Sequence, residues 1–327
     1  MNYYIYGFTS KGNYRKHNED CMLINRETVR EGGFESVCSA PFLSAVCDGV
    51  GGEQAGEVAS ELCVRCLSIT DYDSSVDLDR HIMNIHTRII KNGISAPDSV
   101  NMQTTLCCLA VDENGRAECY NVGDSRMYRY VGGCVRQITV DQTYGRFLYD
   151  MGEIDGISQL EPSMRNAIVS SLGSVLQKPC IDRFEFVTPF GSESDDTVLI
   201  CSDGVSDYVS DDEFEIAMKI DTMTFKEKIQ ALCRLALRNG STDNVSIIGI
   251  KPYNTPEEYQ KLVEAESAAD IPDSTPDNIA EVTVPKQDLA ENENPDEHIE
   301  IHTQRLAEQA DSSLQKLFDD LEKFKNT

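Results

Sequence analysis

Five aspartates stand at the ends of short apolar runs. Asp20 precedes Cys21–Asn25, Asp48 closes Leu43–Cys47, Asp124 follows Ala117–Val122 after one glycine, Asp203 lies just past Val198–Cys201, and Asp243 precedes Val245–Ile250. Runs of this length and composition read as β-strands. The carboxylates therefore fall where loops carry functional groups on a rigid scaffold. Any one of them alone reads as a turn residue. Their company is more telling: Asp48-Gly49, Gly123-Asp124-Ser125, Asp203-Gly204 and Thr242-Asp243-Asn244. Like charges gathered at one end of a sheet repel unless a cation holds them. Oxygen donors without a His or Cys cluster suit Mg²⁺ or Mn²⁺, not Zn²⁺.

Asp48-Gly49-Val50-Gly51-Gly52 adds a glycine-rich loop whose backbone can approach an ion or a phosphate closely. It lacks the Lys-Ser/Thr ending of a P-loop and the spacing of a dinucleotide fingerprint, so it does not read as a nucleotide site.

The elements that must position these acids alternate in type. Further strands read at Tyr3–Phe8, Thr105–Asp112, Arg126–Tyr130 and Arg183–Val187, and helices at Gly56–Ile69, Leu78–Lys91, Asp212–Lys219 and Thr224–Asn239. The helices come as two consecutive pairs with strands in succession between them. That order argues against repeated βαβ units and for antiparallel sheets covered by helices. There is no internal repeat.

Composition bounds the function classes. The chain of 327 residues carries 56 acidic against 29 basic residues, a formal charge of −27. Nucleic-acid binders carry the opposite sign, because they neutralise phosphates. No stretch approaches the roughly 18 apolar residues that span a bilayer, and Met1–Thr9 does not read as a secretory signal. The cysteines inside apolar runs (Cys47, Cys107, Cys108 and Cys201) look like core residues of a reducing compartment, so a cytoplasmic location is expected. Cys63-x-x-Cys66 lies on an apolar helix face and reads as core packing before metal or redox work.

In chain order, Arg15-Lys16-His17-Asn18-Glu19-Asp20, Ala45-Val46-Cys47-Asp48-Gly49-Val50-Gly51-Gly52, Thr104-Thr105, Asn121-Val122-Gly123-Asp124-Ser125-Arg126, Leu199-Ile200-Cys201-Ser202-Asp203-Gly204-Val205-Ser206-Asp207 and Asp243-Asn244-Val245-Ser246 resemble the signatures of the metal-dependent, type 2C serine/threonine protein phosphatases, bacterial members especially. The resemblance spans about residues 1–251. It implies an α+β fold, a four-layer α-β-β-α sandwich of two antiparallel sheets flanked by helices. It implies a phosphoserine/phosphothreonine phosphatase with two Mn²⁺ or Mg²⁺ ions and a possible third. Asp48 would bridge two ions, the Gly49 carbonyl would bind one of them, and Asp203 and Asp243 would complete the second site. Glu19 and Asp20 would act directly or through water, Asp124 and Asp207 would hold the third ion, and Arg15 would clamp the substrate phosphate. A hydroxide between the two cations would attack phosphorus in line, with no phosphoenzyme.

Two departures from the family pattern stand out. Val50 occupies a position that is often His in animal members, which leaves His17 or a metal-bound water as candidate general acids. Asp141-Gln142-Thr143 replaces the Asp-His-Ser of many bacterial members, ahead of Tyr144–Leu172, the expected mobile flap beside the site. The alternative functions are a pseudophosphatase that keeps the fold as a binding or sensing module, and a hydrolase of small phosphate esters.

Composition shifts near Lys251. Residues 252–302 read as an acidic disordered linker. Residues 303–327 carry an amphipathic helical stripe, Leu306, Ala310, Leu314, Leu317, Leu321 and Phe324, that needs a partner surface. The expected partners are phosphoprotein substrates of a Ser/Thr kinase and a possible partner for this helix, with neither nucleic acid nor membrane.

Overall fold

Strand β1 (Asn2–Ser10) shows why the chain makes layers: Tyr3 and Ile5 point to one side and Tyr4 and Tyr6 to the other, and all four are buried. A period of two with both faces apolar demands cover on both sides. The computed structural model describes residues 1–50, 55–95 and 101–264, all within the unit Met1–Ile279.

After β1 come β2 (Cys21–Ile24), β3 (Glu27–Val29), β4 (Gly32–Ser39), β5 (Phe42–Cys47) and β6 (Gly49–Val50), then helices α1 (Ala55–Ser68) and α2 (Leu78–Ser95). The middle of the chain supplies β7 (Gln103–Thr104), β8 (Leu106–Val111), β9 (Ala117–Val122), β10 (Arg126–Val131) and β11 (Cys134–Gln137). Short helices α3 (Tyr144–Asp150) and α4 (Pro162–Arg165) follow, then β12 (Asp182–Glu185), β13 (Thr197–Cys201), α5 (Asp203–Ser206), α6 (Asp211–Lys219), α7 (Phe225–Arg238), β14 (Val245–Tyr253) and α8 (Pro256–Val263).

One sheet has the order β11-β10-β13-β14-β1-β4 and the other β12-β9-β8-β5-β2-β3, with β6 and β7 as a small pair. Every pairing is antiparallel. Tyr3, Ile5, Met22, Val46, Leu109, Ile200 and Ile248 fill the space between the sheets. Tyr4, Tyr6, Leu199 and Ile247 pack outward against Phe214, Phe225, Ile229 and Leu232 of α6 and α7. On the opposite side Leu23, Ala45 and Cys108 pack against Ala59, Cys63, Leu67, Ile82 and Ile89 of α1 and α2. This is the expected four-layer α-β-β-α sandwich. Capping boxes at Ser210/Glu213 and Thr224/Glu227 start α6 and α7. All twelve cysteines are free, and most are buried in these cores.

The expected linker start is corrected. Residue 252 does not open a disordered segment: β14 runs on to Tyr253, opposite Asn2, and α8 follows with a capping box at Thr255/Glu258. Leu262 is buried and the Tyr259 ring meets Tyr4 edge-on and Tyr253 at a tilt, so this short helix of polar sequence covers the outer face of β1. Gly51 and Gly52, residues 265–302 of the expected acidic linker and the whole 303–327 stripe lie outside the described residues.

Candidate active site

Asp48 leaves the end of β5 with its backbone clamped to Thr104 and Thr105, where β7 passes into β8. Its N–H donates to Thr105 Oγ1 at 2.9 Å, and its carbonyl accepts from Thr105 N–H at 2.8 Å and Thr104 Oγ1 at 2.9 Å. Gly49 N–H donates to the Glu19 carbonyl at 3.1 Å, which also accepts from Ser60 of α1 at 2.6 Å. A Cβ on Gly49 would lie 2.2 Å from the Gly56 carbonyl oxygen. Only glycine lets this strand exit pass under the start of α1.

The Asn18-Glu19-Asp20 turn is tied to the start of β14. Glu19 N–H donates to Asn244 Oδ1 at 2.9 Å, and Asn244 Nδ2 donates to the Lys11 and His17 carbonyls at 3.1 and 2.9 Å. Asp243 Oδ1 caps its neighbour, accepting from Asn244 N–H at 2.7 Å, and Asp243 Oδ2 accepts from Arg15 Nη2 at 2.6 Å. Arg15 also faces Glu19 at 4.0 Å. Asp203 begins α5 next to Gly204, where a Cβ would meet the Asn244 carbonyl oxygen at 1.9 Å. Close backbone approach thus brings the ends of β5, β13 and β14 to one point.

The result is a knot of negative charge. Asp20 Oδ1, Glu19 Oε1, Asp124 Oδ1 and Asp203 Oδ1 are each buried without a hydrogen-bond partner. Burial, then Asp20, Asp203, Asp243 and Asp124, push the Asp48 carboxyl well above its ordinary range. Burial raises Asp20 to about 7, against hydrogen bonds from Ser246 and Ser202 that pull it down. Burial and the charges of Asp243 and Asp207 raise Asp203 to about 6, and its carboxyl lies within hydrogen-bonding reach of that of Asp48. Asp124 rises through burial and through Asp203, Asp141 and Asp207. Orphan buried carboxylate oxygens that repel one another suit a cation. Among the described residues no three His, Cys, Asp or Glu side chains close tightly enough to cage an ion unaided. A loose all-oxygen set of this kind fits a hard cation that keeps several waters, such as Mg²⁺.

The flap sequence lies alongside. Its ends are joined where Tyr144 N–H donates to the Ala167 carbonyl and Leu172 exchanges backbone hydrogen bonds with Thr104. Asn166 Nδ2 donates to Asp207 Oδ2 at 2.7 Å, so the flap touches the acidic cluster. Gln142, in the departing Asp141-Gln142-Thr143 triplet, accepts from Gly123 N–H at 2.8 Å and donates to Asp182 at 2.8 Å. It holds the turn that carries Asp124.

The structure gathers every acid singled out above (Glu19, Asp20, Asp48, Asp124, Asp203, Asp207 and Asp243), with Gly49 and Arg15, at one end of the sandwich. His17 is exposed; burial raises the Glu19 carboxyl above its ordinary range, and the Arg15 guanidinium pulls against that rise. Sequence reasoning passed over the residues that hold these acids: Thr9, Asn18, Ser202, Asn244 and Ser246. Four of the five stand inside the signature motifs, and three of them, Asn18, Ser202 and Asn244, lie directly beside an acid, which was the available signal.

A sandwich of two antiparallel sheets with an oxygen-only acidic centre at the strand ends and an arginine at its rim defines a class of metal-dependent phosphatases. Residues 33–241 match the family model for Protein phosphatase 2C. The serine/threonine phosphatase stp of Listeria monocytogenes is 32% identical over 249 residues, covering 73% of this chain and 92% of that protein. The serine/threonine protein phosphatase PstP of Mycobacterium tuberculosis is 33% identical over 229 residues, 68% of this chain and 43% of that longer protein. A crystal structure of PstP superposes with a TM-score of 0.63 at 29% identity, covering 77% of this chain and 99% of that one. Another, of the PstP catalytic domain with two manganese ions, gives 0.60 at 30% identity, again over 77% of this chain and 99% of that one. The chain belongs to the protein phosphatase 2C family and is a metal-dependent protein phosphatase.

Proposed function

We propose that the chain hydrolyses phosphoserine and phosphothreonine in proteins with two divalent cations, Mn²⁺ or Mg²⁺, at the acidic knot. The observation that carries this reading is the set of buried, unpartnered carboxylate oxygens of Glu19, Asp20, Asp124 and Asp203 around Asp48. Asp48 and the Gly49 carbonyl, with Asp203 and Asp243, would hold the two ions, and Glu19 and Asp20 would contribute directly or through water. Asp124 and Asp207 would hold a third, weaker ion. Bound there, the cations would supply a hydroxide nucleophile at neutral pH and screen the phosphate charge.

The chain's own residues do the rest. Arg15 is half exposed at the rim and presents a planar fork of donors to the phosphate oxygens. The fixed backbone around Asp48 and Gly49 keeps the donors in place while charge builds at phosphorus. The cysteines next to the cluster, Cys21, Cys47 and Cys201, are buried with their thiol pKa pushed up by burial, which makes them poor nucleophiles. That supports direct hydrolysis without a phosphoenzyme.

The test is turnover of a phosphothreonine peptide and of a small aryl phosphate by the whole chain, with Mn²⁺, with Mg²⁺ and in excess chelator. Metal-dependent phosphopeptide turnover well above that of the small ester supports the reading. Metal binding with no turnover would point to a binding or sensing module, and preference for the small ester to a general phosphomonoesterase. The partners that follow are Ser/Thr-phosphorylated proteins. Among the described residues no helix is long and apolar enough to cross a membrane.

A further inference from the structure

Asp20 is almost completely buried, and its two carboxylate oxygens are treated differently. Oδ2 accepts from Ser246 Oγ at 2.6 Å and from Ser202 Oγ at 2.8 Å, whereas Oδ1 has no partner. A carboxylate is an acceptor only, so both hydroxyl hydrogens are committed to it. Ser246 Oγ also lies 2.7 Å from Thr9 Oγ1. Having spent its hydrogen on Asp20, Ser246 must accept here, so Thr9 donates. Thr9 Oγ1 in turn accepts from Asn18 Nδ2 at 2.8 Å, and the same Nδ2 also donates to the Arg30 carbonyl at 2.8 Å. Ser202 Oγ accepts Ser246 N–H at 3.2 Å. Thr9, Ser202 and Ser246 have no solvent exposure and Asn18 very little.

All the donors therefore point one way, from Asn18 through Thr9 to Ser246 and, beside it, from Ser202, ending on a single oxygen. We propose that Thr9, Ser202 and Ser246 act as positioning residues that make the two oxygens of Asp20 unequal: Oδ2 is saturated and fixed, and Oδ1 is presented bare to the cation centre. The inference rests on the two-cation reading above and adds a layer behind it. Turning the carboxylate about its Cβ–Cγ bond would break two short hydrogen bonds from hydroxyls that are themselves fully buried. The chain also links three strands: Thr9 is in β1, Ser202 follows β13, and Ser246 is in β14. The sheet itself therefore sets the orientation. A network that served only to satisfy polar groups would not leave one oxygen of its buried carboxylate bare.

The test compares the whole chain with Ser246→Ala, Ser202→Ala, Thr9→Val and Thr9→Ser. Each is checked for folding by circular dichroism, then for Mn²⁺ affinity by calorimetry without substrate, and then for phosphopeptide kcat and KM. Ser246→Ala is expected to weaken Mn²⁺ binding and lower kcat by about ten- to a hundredfold, the usual cost of losing an outer partner of a metal site. KM should stay nearly constant, because the phosphate contact at Arg15 is untouched. Thr9→Val keeps the volume and removes the hydroxyl, so it should give a smaller loss in the same sense, and Thr9→Ser should restore it. Folded Ser246→Ala with parental Mn²⁺ affinity and kcat overturns the proposal. If Ser246→Ala fails to fold, folded Thr9→Val with parental Mn²⁺ affinity overturns it equally. Failure of the functional reading looks different: the unaltered chain would bind Mn²⁺ and leave phosphopeptides intact.

Discussion

Arg15 Nη2 sits 2.6 Å from Asp243 Oδ2, so the arginine at the rim of the acidic centre is joined to one of the acids within it. The pair is half exposed and makes a small contribution to stability. Its value is positional, since it aims the guanidinium along the edge shared with Glu19. Arg15→Ala should raise KM for a phosphopeptide by about ten- to a hundredfold, the scale of one charge-assisted contact, with little change in kcat. Arg15→Lys should recover only part of this, because a point charge cannot reproduce the planar fork. Steady-state kinetics decide it, and unchanged KM in Arg15→Ala would make the residue a solvated neighbour of Asp243.

Burial and four neighbouring aspartates all oppose the charge on Asp48. Removing its charge should disable the centre and relax it at once. Asp48→Asn is expected to lose phosphopeptide turnover by about a thousandfold or more, because under the proposed function it removes the ligand that both cations would share. In chelator the same variant should melt higher than the parent, because burial and Asp20, Asp203 and Asp243 all disfavour the charged form. Thermal melts with and without Mn²⁺ read this independently of activity. A variant that melts below the parent in chelator, or keeps its Mn²⁺-dependent rise in Tm, contradicts the arrangement.

The pH dependence follows with a definite sign. Asp20 at about 7 and Asp203 at about 6 hold protons in the folded chain that the unfolded chain releases near 4. Their contribution to stability is fully present below the unfolded value and is lost as pH rises through the folded values. The metal-free protein should therefore melt several degrees lower at pH 8 than at pH 5. Under the proposed function Mn²⁺ would take the place of those protons, so its stabilising effect should be larger at pH 8. Scanning fluorimetry across this range, in chelator and in Mn²⁺, gives the comparison. Asp48→Asn should flatten the chelator slope, which separates the cluster from the general acidity of the chain. A Tm that climbs with pH in chelator would refute the assignment.

The sandwich and its acids were legible in the sequence because both leave a pattern. β1, β5, β8, β13 and β14 are apolar on two faces, and Asp48, Asp203 and Asp243 interrupt that pattern at strand ends. Edge strands leave a weaker trace. β4, Gly-Gly-Phe-Glu-Ser-Val-Cys-Ser, alternates between half-buried and exposed positions and has no apolar run to announce it. The hydroxyls of Thr9, Ser202 and Ser246 have neither charge nor period, and their importance appears only when three strands are brought side by side. α8 was hidden by its composition, although Thr255-Pro256-Glu257-Glu258 is a capping box with proline in the first turn.

That helix extends the folded structure past Lys251 and yields the last prediction. Cutting after Lys251 would remove the residues opposite Asn2 and Tyr3, expose Tyr4, and discard Tyr253, Tyr259 and the buried Leu262. Burial of one leucine contributes about 1.5–3 kcal/mol, and two aromatic contacts add to that. A chain ending at 264 keeps all of them, together with every residue of the acidic centre. We expect 1–264 to fold and to retain metal-dependent phosphopeptide turnover near that of the full chain. We expect 1–251 to melt at least about 5 °C lower, with activity lost in step with folding. Equal melting temperatures for the two would show that α8 rests on the core without stabilising it. Loss of turnover in folded 1–264 would show that residues beyond it belong to the catalytic unit.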